Sequence, residues 1–571
     1  MGCTVSKTRL PELLPKRISL HHDAILVSKK PVSQSTRFLE NFLTIWLYDV
    51  ASNKYENEME HLGKLLYGLK TFNNIETCNH FINNVRDEKI FLILSGIHRT
   101  CEHFHDFPQL EKIYIFDCSH EINDTKHRIF NYDIMQNVDS LYRQLQEDIR
   151  ICEMDFTLIT VVSASSQEIS FSSKLTRQQA FFLFAQMMKE ITARLKFESC
   201  SKDVLIDFCR VVYMNHDEQL RAIDEFAKNY RPNKALYCLT NQSFISRILN
   251  RVVRTHEIDI LYKFGFFIKQ ATIQLNRLHE ENKVLIETIS MVYRGKTMPF
   301  LEFETLIKNS CGGFLSFPNF LIASMNKRFA IDFIDRRLAM HRDMIGILFE
   351  IDIAKTTFDE KSPFALLKDP DVDKDDVCFN MSTIFRIQSV EQITNGEMMM
   401  WSVKLKLINN DDQQLQYIIA STRHDEVHAN PAFHFGKLLM DMGEYKRAEQ
   451  FLLSLLQDTA ILSQPRRLVR VHNGLAAIYT YNHDYVKALN HYHEVLRLSL
   501  TYLQSDHLDL IPIYKVIGDN HYNQKEYSNA LENYEKAIKL LEQNTSPMNV
   551  DTSSDLHNSI SMAKQLLKIH Q

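Results

Sequence analysis

Self-similarity near the C-terminus constrains the fold of this 571-residue chain more than any other feature. The pattern at residues 443–448 (GEYKRA) recurs at 483–488 (HDYVKA) and at 525–530 (KEYSNA). The shared Tyr recurs after 40 and then 42 residues, at Tyr445, Tyr485 (485 − 445) and Tyr527 (527 − 485). A repeat of this length predicts helix-turn-helix units that stack side by side into an all-α solenoid.

These units resemble the tetratricopeptide repeats of the kinesin-light-chain type. Small residues recur at one position and large ones at another, where they would let paired helices approach and fill the space between layers: Gly436, Ala476 and Gly518; Leu452, Tyr492 and Tyr534. The resemblance places the repeats at 430–545 and a capping helix at 546–571. It implies a peptide or protein partner on the concave face, and the alternative is a scaffold that only holds a neighbouring domain or a dimer.

Length and composition indicate an ordinary globular protein with several domains. The chain is too long for one hydrophobic core, and 45% hydrophobic with 24% charged residues leaves little room for long disordered tracts. A net charge of −5 with no basic stripe argues against nucleic acid as a partner. The ten cysteines are scattered without a C-x-x-C and indicate reduced residues of a cytoplasmic protein. Cys101, His103 and His105 lack further ligands at zinc-site spacing, so no metal is expected.

The first residues fit a lipidation pattern. Gly2 follows the initiator Met1, Ser6 supplies the hydroxyl, and Cys3 is a site for a palmitoyl group. Two acyl chains and nearby basic residues would hold residues 1–37 on the inner face of a membrane. The alternative is a disordered leader in which the motif occurs by chance.

Residues 38–200 predict an α/β module with a parallel sheet. Apolar runs at 42–47, 89–94, 112–116 and 156–162 suit strands buried on both faces, and helices are expected at 58–69 and 132–149. Ligands of such sheets bind beyond the carboxyl ends of the strands, where this chain has polar and small residues: Asp49, Ser95, Gly96, Asp117 and Ser163. No Gly-rich phosphate loop accompanies them, so they are interpreted first as turn residues and the ligand stays open.

Three motifs in the middle of the chain are informative through their order and spacing. They are Tyr293-Arg294-Gly295, then a run from Phe317 through Phe320 to Ser324, and then Asp376 followed by a Met-x-Thr-x-Phe-x-Ile continuation at 381–387. In order and spacing they resemble the R, S and E blocks of the mono-ADP-ribosyltransferases that use NAD and modify arginine. The resemblance implies an α+β domain at 235–405, after a helical connector at 201–234 and before a linker at 406–429.

The resemblance also assigns roles. Breaking the bond between nicotinamide and ribose builds positive charge on the ribose, which a nearby carboxylate stabilises, and a planar guanidinium suits a diphosphate. The catalytic Glu of the family corresponds to Asp376, and its earlier Glu to Lys374. Ser324 is the remaining hydroxyl of a Ser-Thr-Ser block. The NAD-binding positions are Arg294, Tyr293, Gly295, Phe317 and Phe320.

Departures from the family pattern leave three interpretations open. The domain transfers ADP-ribose from NAD (or NADP) to a protein side chain through Asp376, or it only hydrolyses NAD, or it is a catalytically degenerate scaffold at a membrane. An ammonium at Lys374 would repel an arginine acceptor, so Asp373 or Asp375 would have to compensate or the acceptor is another residue. Phe364 falls in the segment that resembles the acceptor-recognition loop.

Overall fold

An all-parallel sheet occupies the N-terminal part of the described chain. The structure, a computed structural model, describes residues 40–570 apart from 49–54, 97–103, 105–106, 118–131, 164–176, 195–200, 215, 241–242, 342, 354–362, 369–374, 397, 409–411, 423–435, 438, 441, 457–463 and 544–549. The strands are β1 (Phe42–Leu47), β2 (Lys70–Phe72), β3 (Lys89–Leu94), β4 (Leu110–Phe116) and β5 (Tyr132–Met135), in the spatial order β2-β1-β3-β4-β5. All four pairings are parallel, so the predicted parallel sheet is confirmed.

Two predicted elements of this module are wrong. Its helices are α1 (Glu56–Leu65), α2 (Ile75–Asn84) and α3 (Val138–Asp155), so the helix expected over 132–149 begins later. Asn137 caps α3 by accepting from the amide of Ser140 at 2.8 Å, which leaves the preceding residues free to form β5. The apolar run at 156–162 contributes only Thr160–Val162 (β6), and that strand pairs with a different sheet.

The second sheet is mixed and carries the three transferase-like motifs. Besides β6 it contains β7 (Met291–Pro299), β8 (Phe314–Phe317), β9 (Leu321–Ser324), β10 (Met344–Asp352), β11 (Phe364–Lys368), β12 (Asp375–Phe379), β13 (Thr383–Asn395) and β14 (Met398–Leu407). Their spatial order is β11-β12-β9-β7-β10-β14-β13-β8-β6. One face of the sheet encloses a core that includes Phe317, Phe349 and Phe385. Among the described strands of this sheet, β10 and β14 are the pair that runs in parallel.

Further helices precede, separate and follow the strands of this sheet along the chain. The longest of them packs against several of the others. They are α4 (Arg177–Arg194), α5 (Ser201–Val212), α6 (Asp217–Asn229), α7 (Ala235–Thr240), α8 (Phe244–Thr255), α9 (Ile258–Glu281), α10 (Lys283–Ile286), α11 (Phe300–Phe303), α12 (Lys327–Met340) and α13 (Gln413–Thr422). Helix α9 packs against α4, α5, α7, α8 and β11. The segment predicted as a linker, 406–429, instead contains α13, whose Leu415 and Ile418 are buried against Phe182.

Three arginines of α8 contact the segments that precede β1 and β3. Arg251 donates to the carbonyl of Glu40 at 2.7 Å, and Arg247 pairs with the Glu40 carboxylate at 3.1 Å. Arg254 donates to the carbonyl of Asp87 at 2.7 Å. These arginines are therefore committed to the amino ends of β1 and β3, which is a structural role.

The C-terminal helices follow the predicted repeat. They are α14 (Tyr445–Leu455), α15 (Pro465–Tyr481), α16 (Tyr485–Ser499), α17 (Ile511–Asn523), α18 (Tyr527–Gln543) and α19 (Val550–His570). The repeated Tyr is the first residue of α14, α16 and α18. Two residues before it, Gly443, His483 and Lys525 all have positive φ, of 80°, 60° and 67°. Among the described residues no helix has both the length and the apolar content needed to cross a membrane.

Candidate functional site

The strand register aligns the three motifs. Asp376 on β12 lies directly opposite Ser324 on β9, and Ser324 lies opposite Tyr293 on β7. On the far side of β7, Tyr293 lies opposite Glu350 on β10. Directly opposed residues share a face of a sheet and stand about 5 Å apart. Asp376, Ser324, Tyr293 and Glu350 therefore form one row across four neighbouring strands.

Arg294 follows Tyr293 and is held by protein acceptors. Its Nη1 donates to the carbonyl of Ile322 at 3.3 Å, and its Nη2 donates to the carbonyl of Met154 and to the hydroxyl of Thr157 at 3.4 Å. Burial lowers the pKa of the guanidinium, and the carboxylates of Asp155 and Asp376 oppose this shift. An arginine remains charged in either case.

Close packing explains the glycine at position 295, and its role in binding NAD stays a prediction. A Cβ at this position would lie 2.3 Å from the carbonyl oxygen of Ala330 and 3.1 Å from the ring of Phe333. Gly346 on the neighbouring strand is similar, since a Cβ there would lie 2.4 Å from Ile334. The two glycines let α12 lie close against β7 and β10. The ring of Phe333 is thereby placed 5.9 Å from the Arg294 guanidinium.

The loop after Ser324 turns directly into α12. The hydroxyl of Ser324 accepts from the backbone amide of Asn326 at 3.2 Å, and the Asn326 side chain caps the helix by accepting from Arg328 at 3.0 Å. At the first turn, Lys327 pairs with Glu350 at 2.7 Å and lies 5.8 Å from the Tyr293 ring. The row of aligned residues thus has the Lys327–Glu350 ion pair at one end and Asp376 at the other.

The remaining predicted site residues fall in different places. The ring of Phe317 is 1% exposed and packs in the core against Phe349 and Phe385, so it does not reach the row. Phe320 is half-buried and packs against the helical core. Phe364 is also buried, where its carbonyl contacts His279. Lys374, Asp373, Gly2 and Cys3 lie outside the described residues, and the lipidation of the N-terminus stays a prediction.

Sequence reasoning missed the contacts that Asp155 makes. This residue ends α3, and its carboxylate accepts from the amide of Thr297 at 2.8 Å, from the Thr297 hydroxyl, and from Nε of Arg337 at 3.0 Å. Arg337 also contacts Glu111 on β4 at 3.3 Å. Such a network joins elements more than 140 residues apart, so no local pattern signals it. An acidic residue at a helix C-terminus, against the helix dipole, is the one clue the sequence offers.

Two of the polar residues expected at the end of the parallel sheet accept hydrogen bonds from aromatic side chains of the module. Ser95 accepts from Trp46 Nε1 at 3.0 Å, and Asp117 accepts from the hydroxyl of Tyr55 at 3.2 Å. Ser163 follows β6 and therefore lies at the other sheet, so its predicted position is wrong. Asp49 lies outside the described residues, as do Cys101, His103 and His105. Within the described part of the chain, no group of three or more His, Cys, Asp or Glu is placed to hold a metal ion.

The repeat helices pack as the sequence pattern predicts. Ala448, Ala488 and Ala530 are fully buried. A Cβ on Gly518 would lie 2.5 Å from the Tyr534 ring, which confirms that this small residue admits the large one. A family model described as tetratricopeptide repeat matches residues 467–543. The chain therefore contains tetratricopeptide repeats over this region.

Several solved structures are similar to parts of this chain at low sequence identity. No curated protein sequence matches the chain. Similar solved structures include BtubC (BKLC) from P. vanneervenii (13% identity, TM-score 0.23), for which the match covers 27% of this chain and 64%, just under two thirds, of that protein. The catalytic domain of VahC from Aeromonas hydrophila (14%, 0.19) and the ADP-ribosyltransferase toxin Plx2a from Paenibacillus larvae (13%, 0.18) match over 37% and 36% of this chain, and 99% and 96% of theirs. TM-scores this low establish no fold.

Proposed function

We propose that the domain built on the mixed sheet transfers ADP-ribose from NAD to a protein side chain and releases nicotinamide. The observation that carries this proposal is the register that sets Asp376, Ser324 and Tyr293 side by side, with Arg294 next to Tyr293. The same residues are those that the motif resemblance assigns to catalysis and diphosphate binding. The charge of Asp376 also opposes the lowering of the Arg294 pKa by burial.

Asp376 and Arg294 each have a role in the proposed transfer of ADP-ribose. The bond between C1′ of the ribose and the nicotinamide nitrogen breaks, and its electron pair leaves with nicotinamide. The carboxylate of Asp376 stabilises the positive charge that develops on the ribose, and Arg294 binds the diphosphate. A nucleophilic atom of the acceptor side chain attacks C1′ and gives up its proton to solvent. Lys374 favours an acceptor other than arginine, because two cations repel each other.

The test is nicotinamide release from NAD by the full chain. We expect Asp376→Asn to abolish release. Asp376→Glu should raise it by up to about a hundredfold, because the longer side chain recovers about 1 Å of reach. The matched control is Glu391→Gln, which removes an exposed carboxylate of the same domain that pairs with Lys404. Release that is unchanged in Asp376→Asn would overturn the role of this carboxylate.

The second candidate is a non-catalytic scaffold that recruits a protein partner through the repeats. It is favoured by the contacts that already occupy Arg294 and by the amide that occupies the Ser324 hydroxyl. The two candidates differ in NAD consumption. If neither the wild-type chain nor Asp376→Glu releases nicotinamide, with or without an arginine analogue and a lysate as acceptor source, the scaffold is correct. Release by Asp376→Glu alone would indicate a degenerate site on a transferase fold.

A further inference from the structure

The free edge of β7 is covered by the α/β module. In the described strands β7 pairs with β9 only at Tyr293 and Ser324, and beyond this point the two strands separate. The last residue of α3 contacts β7 there instead. Asp155 accepts from Thr297 there, and the carbonyl of Asp155 accepts from Nζ of Lys296 at 2.5 Å. The strand that carries Arg294 is therefore completed by residues of the neighbouring module.

Asp155 also reaches the helix that follows the second motif. Its carboxylate bonds Arg337 of α12, and both groups are buried, with 7% and 2% of their surface exposed. Breaking one partner of a buried, hydrogen-bonded ion pair is costly, because the other charge remains unpaired. One carboxylate therefore fixes the distance between β7, which carries Arg294, and α12, which begins three residues after Ser324.

The placement of Asp155 is unfavourable for α3 itself. A carboxylate in the last turn of a helix faces the negative end of the helix dipole, which is unfavourable. Its bonds to Thr297 and Arg337 offset this cost through contacts that lie wholly outside the module. Either side of Asp155, Met154 and Thr157 supply the acceptors that hold the Arg294 guanidinium.

From these contacts we infer that Asp155 is a positioning residue for the diphosphate-binding Arg294. This inference rests on the proposed function and adds a requirement to it: the α/β module is part of the transferase site. Asp155 touches no substrate. It anchors the turn at 154–157 against β7, and this turn holds the guanidinium through the carbonyl of Met154 and the hydroxyl of Thr157.

Asp148 offers a matched control on the same helix. It is 3% exposed and accepts from Lys112 Nζ at 2.8 Å and from the Tyr114 hydroxyl at 2.6 Å, all inside the module. Asp155→Asn and Asp148→Asn each remove one buried charge with little change of shape. Both should lower thermal stability, but only the first disturbs β7. Thr157→Val is a milder second variant, because it deletes one acceptor of Arg294 and leaves Asp155 in place.

Two measurements on the full chain test the inference. The first is the rate at which phenylglyoxal modifies Arg294, followed by peptide mass spectrometry, and it needs no catalytic activity. We expect about tenfold faster modification in Asp155→Asn and a smaller increase in Thr157→Val, because the local contacts that protect the guanidinium open more often. Asp148→Asn should stay close to the wild type. Equal rates in Asp155→Asn and Asp148→Asn would overturn the inference.

The second measurement is steady-state nicotinamide release. Diphosphate binding is made in the ground state and the transition state alike, so Asp155→Asn should raise KM for NAD about tenfold and leave kcat within about twofold. A lower KM would show that the turn competes with the diphosphate and would overturn positioning. If the wild type releases no nicotinamide while Arg294 modification still separates Asp155→Asn from Asp148→Asn, the positional inference stands and the proposed transferase activity fails.

Discussion

Replacing Gly295 by alanine tests how tightly α12 is bound to the strand that carries Arg294. The new Cβ would lie 2.3 Å from the backbone carbonyl oxygen of Ala330, whereas real Cβ atoms essentially never approach closer than 3.0 Å. A backbone atom cannot rotate away as a side-chain tip can, so α12 has to retreat from β7 by most of an ångström. Overpacking of this kind costs about 1–3 kcal/mol.

Hydrogen exchange measures this cost where it arises. A loss of about 2 kcal/mol in local stability speeds exchange of the amides in α12 by about thirtyfold. We expect this change in peptides that cover Lys327–Met340 and in those from β7, with little change in the repeat helices. Under the proposed function the NAD affinity should fall as well, because Phe333 and Arg294 move apart.

Gly63→Ala in α1 is the matched control. A Cβ there meets only Leu69 at an ordinary distance of 3.8 Å, and alanine favours a helix over glycine by about 1 kcal/mol. This variant should be as stable as the wild type or more so. Exchange in α12 that is as slow in Gly295→Ala as in Gly63→Ala would refute the packing argument, and loss of NAD binding without faster exchange would return Gly295 to a direct ligand role.

Other predictions concern buried charges and the repeats. Burial alone would raise the pKa of Glu111, but the hydrogen bond with His341 and the charges of Arg337 and Lys89 lower it to about 2. Its carboxylate therefore contributes about 3 kcal/mol of stability above pH 4.5, which is lost as the pH falls toward 2. In urea denaturation, the free energy of unfolding of Glu111→Gln should fall less steeply with decreasing pH than that of the wild type. Burial raises the pKa of Glu153 to about 8, with Arg247 opposing and Glu40 adding to the shift, so stability is lost as the pH rises from 4.5 to 8. Glu153→Gln should remove that slope and be more stable at pH 8 by up to about 4 kcal/mol in the same assay. Gly518→Ala should cost about 1–3 kcal/mol by displacing the Tyr534 ring, seen as faster exchange in α17 and α18. Lys525→Gly should stabilise the same helices by about 1 kcal/mol, because glycine adopts the φ of 67° without strain, and a lower melting temperature would contradict it.

Local patterns in the sequence determined the strands in which nearly every residue is buried. The apolar runs at Phe42–Leu47 and Lys89–Leu94 are β1 and β3 residue for residue, because a strand buried on both faces needs no partner-specific signal. The repeated Tyr begins the second helix of each unit, because each repeat packs against a neighbour that carries the same pattern. The motif spacing likewise predicted that Arg294, Ser324 and Asp376 belong to one site, and the register brings their strands together.

Tertiary structure decided what local periodicity does not encode, namely which surface buries a given run. The run at 156–162 is apolar enough for the parallel sheet, yet Thr160–Val162 pairs with β8, some 150 residues away. Phe317 carries a motif position but its ring fills the core. Asp155 gains its importance only from Thr297 and Arg337, which the chain brings to it by long-range packing. Sequence alone thus predicted which residues belong to one site, and the fold decided the contacts of Asp155 with Thr297 and Arg337, since these exist only once the two sheets have met.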